Sequence, residues 1–230
     1  MGPGGSLRRQ GQGSRAECRQ HQVVLGHPGG IELVEIVGDL EESFERLRLS
    51  FVDVFILHSQ IVPEPDPERS TWTTPLVLFQ DAARPALQKL VEEGRIGAWG
   101  ITAVQFPEVL ETVLSEDPTP QVAQMIANVL DAPGDMRWSV DPVQPRSLVA
   151  RAQQTGVGVM GIRAAQAGAL TDNLDRDLEP DHPARTDFDR AAPFRALASE
   201  VGESAASLAH RYALTMSGGG HRRARSQEPG

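Results

Sequence analysis

The chain has 230 residues, 40% of them hydrophobic, and a formal net charge of −9. That suffices for one large domain with its own core. The acidic balance, with no basic stripe in mid-chain, would repel a phosphate backbone and argues against nucleic acid as a partner. One cysteine, Cys18, excludes an internal disulfide and leaves no paired-cysteine zinc pattern, and it points to a reducing, cytoplasmic compartment. No apolar run is long enough to span a membrane, and the N-terminus lacks the apolar core of a secretory signal.

Taken in chain order, residues 1–30 are rich in Gly, Arg and Gln with no period, which reads as an irregular, disordered segment. The stretch "IELVEIV" offers a possible strand. In "GDLEESFERLRLS", Asp39 is the expected N-cap and Glu42 completes a capping box, with Leu40, Phe44, Leu47 and Leu49 as the apolar stripe. "VDVFILH" reads as a buried strand ending on His58, and "ARPALQKLVEEGR" as a helix closed by Gly94. Then come the strand "IGAWGIT", the helix "FPEVLETVLSED", the strand "QVAQMIANVL", the helix "PRSLVARAQQTG" stopped by Gly156, and the strand "VGVMGIRA". "DFDRAAPFRALASEVG" holds a helix, and "SAASLAHRYALTM" forms another, N-capped by Ser204.

Strict alternation of helices with buried strands means parallel strands joined by crossovers. A doubly wound dinucleotide fold should carry GxGxxG after its first strand, and none is present. The expected architecture is therefore α/β, a (β/α)8 TIM barrel that is incomplete, its first and last strands missing or altered. It would occupy residues 31–216, followed by a disordered basic tail over 217–230. In such barrels the chemistry lies at the C-terminal ends of strands. Those ends supply His58 and Ser59, then Thr102 and Ala103, then Gln124 and Asn128, then Arg163, Gln166 and Gly168. Any one of these could be a packed or mutually bonded polar residue. Polar groups at successive strand ends point to a site.

The stretches "LEESFERLRLSFVDVFILH", "LVEEGRIGAWGIT", "VAQMIANVLD" and "GVGVMGIRAAQAGALT", in this order, resemble the aldo-keto reductase family. "APFRALASEVGESAASLAHRYAL" resembles that family's closing helices. The resemblance runs from about Gly38 to Met216. It implies reduction of aldehydes or ketones with NADPH and no metal, acting on a small carbonyl substrate. His58 matches the family's active-site histidine, which donates a hydrogen bond to the substrate carbonyl. Thr102 and Gln124 fall where the family holds the nicotinamide carboxamide. Ile162 takes the place of an aromatic ring that stacks on the nicotinamide, and Arg163, Ala164, Gln166 and Gly168 lie on the loop that wraps the pyrophosphate.

The family's tyrosine proton donor, with its lysine and aspartate, should precede His58. The chain's single tyrosine, Tyr212, and single lysine, Lys89, lie on expected helices instead. Ala103 replaces an asparagine that would contact the carboxamide. One base on, a degenerate back-translation of "GGHRRARSQEPG" yields an apolar strand followed by Gly, Lys and Asn, as the family would place there. "ECRQHQ" permits a comparable shifted reading, which suggests that both ends are out of frame. The resemblance thus implies a reductase impaired by the absence of those groups. The alternative is a non-catalytic, reductase-like binding or scaffold protein, and a third outcome is a fragment whose open strand edges prevent stable folding. The "QIVPEPDPERSTWTTP" segment would line the pocket, with Trp72 either as a wall or as cover.

Overall fold

A computed structural model describes residues 20–23, 33–70, 72–137 and 143–216, with the backbone alone described for 20–23 and 33–39. The tail over 217–230, Cys18 and the shifted readings at both ends lie outside the described residues, apart from Gln20–Gln22.

One parallel sheet organises the chain. Its strands are β1 (Gln20–Val23), β2 (Val52–Val62), β4 (Ile96–Ala103), β5 (Val122–Ile126) and β6 (Gly158–Ile162), adjacent in that order, with β3 (Thr73–Pro75) appended to β2. All five pairings are parallel. Between β2 and β4 run α2 (Leu76–Leu78), a π-helical stretch (Phe79–Ala83) and α3 (Arg84–Glu92). Crossovers α4 (Pro107–Val113) and α5 (Pro145–Thr155) join β4 to β5 and β5 to β6. This is the expected barrel alternation, and among the described residues the sheet stays open, with β1 and β6 at its edges.

Four expectations need correction. "IELVEIV" is not a strand: α1 spans Leu33–Leu47 and absorbs it. Positions 33, 36, 37, 40, 44 and 47 recur at helical spacing, so the stripe begins earlier than the capping signal suggests. Asp39 therefore sits within a helix and is no N-cap. Within the segment read as irregular, Gln20–Val23 form β1, paired with Val54–Leu57. Its polar sequence hides the strand from a hydrophobicity pattern. The stretch "DFDRAAPFRALASEVG" contributes to two helices, α6 (Pro183–Arg190) and α7 (Ala192–Glu200), and α8 (Ala205–Met216) follows. Ser204 does cap α8, its Oγ accepting from the Ser207 amide at 3.2 Å.

The main core lies between sheet and helices. Phe55, Leu57, Trp99, Ile101, Ala123 and Met125 from the strands meet Leu87, Leu90, Leu110, Leu148 and Val149. Trp99 is completely buried. Because successive strand residues point to opposite faces, Thr102 and Gln124, alternating with Ile101, Ala103, Ala123 and Met125, stand on the face away from these helices. Gly94 and Gly156 close α3 and α5 with φ of 69° and 80°, the left-handed geometry that a helix-ending glycine supplies.

Candidate active site

The strand read as ending at His58 continues to Val62. It is the pairing that changes at the histidine. Leu57 pairs with Ile101, but the next partner of β4, Thr102, pairs with Gln60. His58 and Ser59 are thus extra residues in a bulge, a device that re-aims a side chain near a strand end. Hydrophobicity shows where the strand lies but not where its register slips.

The bulge brings His58 beside the next strand. Its Nδ1 lies 2.8 Å from Thr102 Oγ1. Thr102 Oγ1 donates to Gln124 Oε1 at 3.3 Å, and Gln124 Nε2 donates to Met160 Sδ at 3.6 Å. Thr102, Gln124 and Met160 are in direct register across β4, β5 and β6. One polar row therefore runs over four strands, with the thioether at its far end. Thr102 and Gln124 are almost wholly buried, and His58 is half-buried. Burial holds the His58 imidazole below its ordinary pKa of 6.5, and the hydrogen bond that the ring donates to the Gln124 side-chain carbonyl partly offsets this. The neutral ring is thus favoured at pH 7.

A second cluster sits just beyond the ends of β5 and β6. Asn128 Nδ2 donates to Gln166 Oε1 and to the Ala132 carbonyl, each at 3.0 Å. Gln166 Nε2 donates to the Ala132 carbonyl at 2.7 Å and to Asp187 Oδ2 at 3.0 Å, while Arg190 pairs with Asp187 at 2.8 Å. Gln166 is 1% exposed. Its amide holds the loop together, so a ligand would meet the backbone of this loop rather than that side chain. Asp187 carried no sequence signal, since its role depends on where α6 docks.

The other loop residues are placed as follows. Arg163, with φ 60°, pairs with Asp135 at 2.7 Å, and its Nε lies 3.0 Å from Met136 Sδ. Ile162 packs on a small apolar cluster of Val104, Ile126 and Val143. Val143 belongs to "RWSVDPVQPR", so this part of that segment lies at the C-terminal ends of β4 and β5. Ala164 is half-buried, and Gly168 turns the loop at φ 93°. A cavity of about 580 Å³ opens outside the second cluster, lined by Asp131, Pro133, Arg137, Asp181, Thr186 and Arg190 among others. His58, Thr102 and Gln124 do not line it.

After His58 the chain makes a short 3₁₀ turn (Pro67–Arg69) and returns as β3, where Ser59 and Thr74 join hydroxyls at 2.5 Å. Trp72 is 55% exposed, and its carbonyl accepts from the Gln60 amide at 2.8 Å, so its ring covers little. Lys89 on α3 pairs with Glu93, and Tyr212 on α8 packs beneath the Arg146 guanidinium. Among the described residues no cluster of His, Cys, Asp or Glu could hold a metal, and no helix is long and apolar enough to cross a membrane.

Parallel strands alternating with helices, with a polar row at their C-terminal ends, are part of the (β/α)8 layout. A family model described as the aldo/keto reductase family matches residues 24–222, and the chain belongs to that family. No curated protein matches it. Among solved structures it is similar to a glycerol dehydrogenase from Gluconobacter oxydans, with a TM-score of 0.54 and 22% identity over 80% of this chain and 53% of that one. It is also similar to an aldo-keto reductase from Bacillus halodurans in its holo form, with a TM-score of 0.57 and 19% identity over 87% of this chain and 59% of that one. A third is an aldo-keto reductase from Klebsiella pneumoniae in complex with NADP and acetate, with a TM-score of 0.51 and 18% identity over 83% of this chain and 53% of that one. At these identities the likeness shows the fold. The chain spans somewhat more than half the length of these structures.

Proposed function

We propose that the chain is an NADPH-dependent oxidoreductase of the aldo-keto reductase type, acting on aldehydes or ketones, with its activity reduced. The observation that carries this reading is the joined row of His58, Thr102 and Gln124, delivered by neighbouring parallel strands to one face of the sheet. Family membership and solved relatives complexed with NADP or NADPH support the choice of cofactor.

The donor set fits a carboxamide. A hydroxyl and a primary amide complement the same pair of groups on a nicotinamide, and Gln124 keeps one N–H beyond its bonds to Thr102, Met160 and His58. Thr102 and Gln124 would hold that end, and the loop from Ile162 to Gly168 would offer backbone to the phosphates. The cofactor would supply the hydride. His58 would contact the oxygen on which charge changes as hydride moves, the place where a fixed polar group affects the barrier most. Arg163 is neutralised by Asp135, which weakens its grip on a phosphate.

The reduced activity follows from the positions of Lys89 and Tyr212. Neither comes from a strand end, so neither supplies a tuned phenol beside His58. The same observation favours a second reading, a reductase-like binding protein that holds ligand without turnover. Following NADPH absorbance against a panel of small carbonyls separates the two. The first reading predicts slow, saturable oxidation of NADPH that His58→Ala lowers further, by up to ~10²-fold. Binding without any turnover favours the second. The reading also places the protein in the cytoplasm and assigns it no metal.

A further inference from the structure

Two residues beyond His58, the side-chain amide of Gln60 has no hydrogen-bond partner among the described residues. Phe55, Leu57 and Ile61 belong to the core beneath the helices, so His58 and Gln60, which alternate with them, point to the opposite face. The register agrees: Gln60 is the direct partner of Thr102 on β4 and of Thr73 on β3. Gln60 is 7% exposed, and a polar side chain buried that far normally bonds to protein. Its neighbours on this face are committed elsewhere. The Thr73 hydroxyl donates to the Arg69 carbonyl at 2.9 Å, and Thr102 is held between His58 and Gln124. Among the described residues, Arg84 Nε is the side-chain atom that is both wholly buried and unbonded, so the amide atoms of Gln60 still reach open space.

We propose that Gln60 is a specificity-determining residue that binds a hydroxyl group carried by the carbonyl substrate. On the oxidoreductase reading, on which this role depends, the site selects small hydroxylated aldehydes or ketones over their alkyl counterparts. A free carboxamide offers two N–H donors and an acceptor oxygen, the complement of a hydroxyl, which both donates and accepts. Alternate residues on one strand lie about 6–7 Å apart, so a small molecule whose carbonyl oxygen meets His58 places its other end at Gln60.

Charge and desolvation set the preference. Gln60, Thr73, Thr102 and Gln124 are uncharged, and burial favours the neutral form of His58 at pH 7. A carboxylate at Gln60 would shed its water with no cation among these residues to receive it. An alkyl group would seal the amide without a partner, the same cost that lets a hydrogen-bonding site reject an analogue lacking the matching group.

Titrating the ¹⁵N-labelled full chain, in excess NADP⁺, with hydroxyacetone and separately with butanone tests this. The two ketones differ by a hydroxyl against a methyl group. The Gln60 side-chain amide pair is assigned in a ¹H–¹⁵N spectrum by its loss in Gln60→Leu, or in Gln60→Met should that chain fail to fold. Hydroxyacetone should shift the pair saturably, at concentrations roughly tenfold below those at which butanone acts. In a parallel assay of NADPH oxidation, the ratio of kcat/KM for hydroxyacetone to that for butanone should fall roughly tenfold in the variant, a ratio that a merely structural loss would not move. An amide pair that responds to both ketones alike, or to neither, overturns the role of Gln60. So does a folded, active variant with an unchanged ratio. A selective shift with hydroxyacetone in a chain that never oxidises NADPH supports Gln60 as the hydroxyl contact and refutes the reductase reading instead.

Discussion

Asn128 and Gln166 stand 38 residues apart and join their side-chain amides at 3.0 Å. Both are essentially buried, and each also bonds the Ala132 carbonyl, so this pair ties the end of β5 to the loop after β6. Replacing either with alanine leaves a buried amide group without its partner. Each variant should lose about 1–3 kcal/mol. Urea unfolding should show a lower midpoint with an unchanged slope, the sign of lost stability without altered compactness.

Gly100 tests how tightly β4 and β5 are packed. A Cβ built there would lie 2.6 Å from the Val122 carbonyl oxygen, which is backbone and cannot swing away. Gly100→Ala must part the strands or bend one of them, at a cost of roughly 1–3 kcal/mol. Thermal unfolding should register it as a fall in midpoint. Gly94 has open space around its would-be Cβ, so alanine there should suffer only from the left-handed backbone at φ 69°.

His58 makes stability depend on pH. Its folded pKa lies below 6.5, so between the two values the unfolded chain binds more protons. The neutral ring contributes stability that is fully present above pH 6.5 and lost as pH falls through the depressed folded value. Its partners Thr102 and Gln124 carry no charge, so burial alone sets the direction. His58→Gln should flatten the stability curve in that window. Unfolding midpoints compared between pH 8 and pH 5 check the sign.

Much of the fold was legible because buried parallel strands alternate with amphipathic helices. "VDVFILH", "IGAWGIT" and "VGVMGIRA" carry their own apolar signal, and Gly94 and Gly156 end helices where a left-handed residue is required. β1 was illegible because "QHQV" has no apolar run, and it pairs only because β2 supplies a partner. The capping pattern at Asp39 misled because the apolar stripe runs straight through it from Leu33.

The candidate site was legible as residue types at strand ends and illegible as bonding. Placing His58, Thr102 and Gln124 near each other needs only strand order. That Gln166 turns inward onto Asp187, that Arg163 meets Asp135, and that Met160 ends the polar row all depend on packing between segments far apart in sequence.

The central claim is that the row on β2, β4 and β5 forms one end of a nicotinamide site. Titrating the folded chain with NADPH and following the nucleotide's fluorescence tests it most directly, with Gln124→Leu alongside and circular dichroism confirming that both chains are folded. The account predicts a saturable change for the wild type and at least a tenfold weaker one for the variant, the loss of one to two hydrogen bonds. Equal binding by both chains, or no saturable signal from a folded wild type, would contradict it.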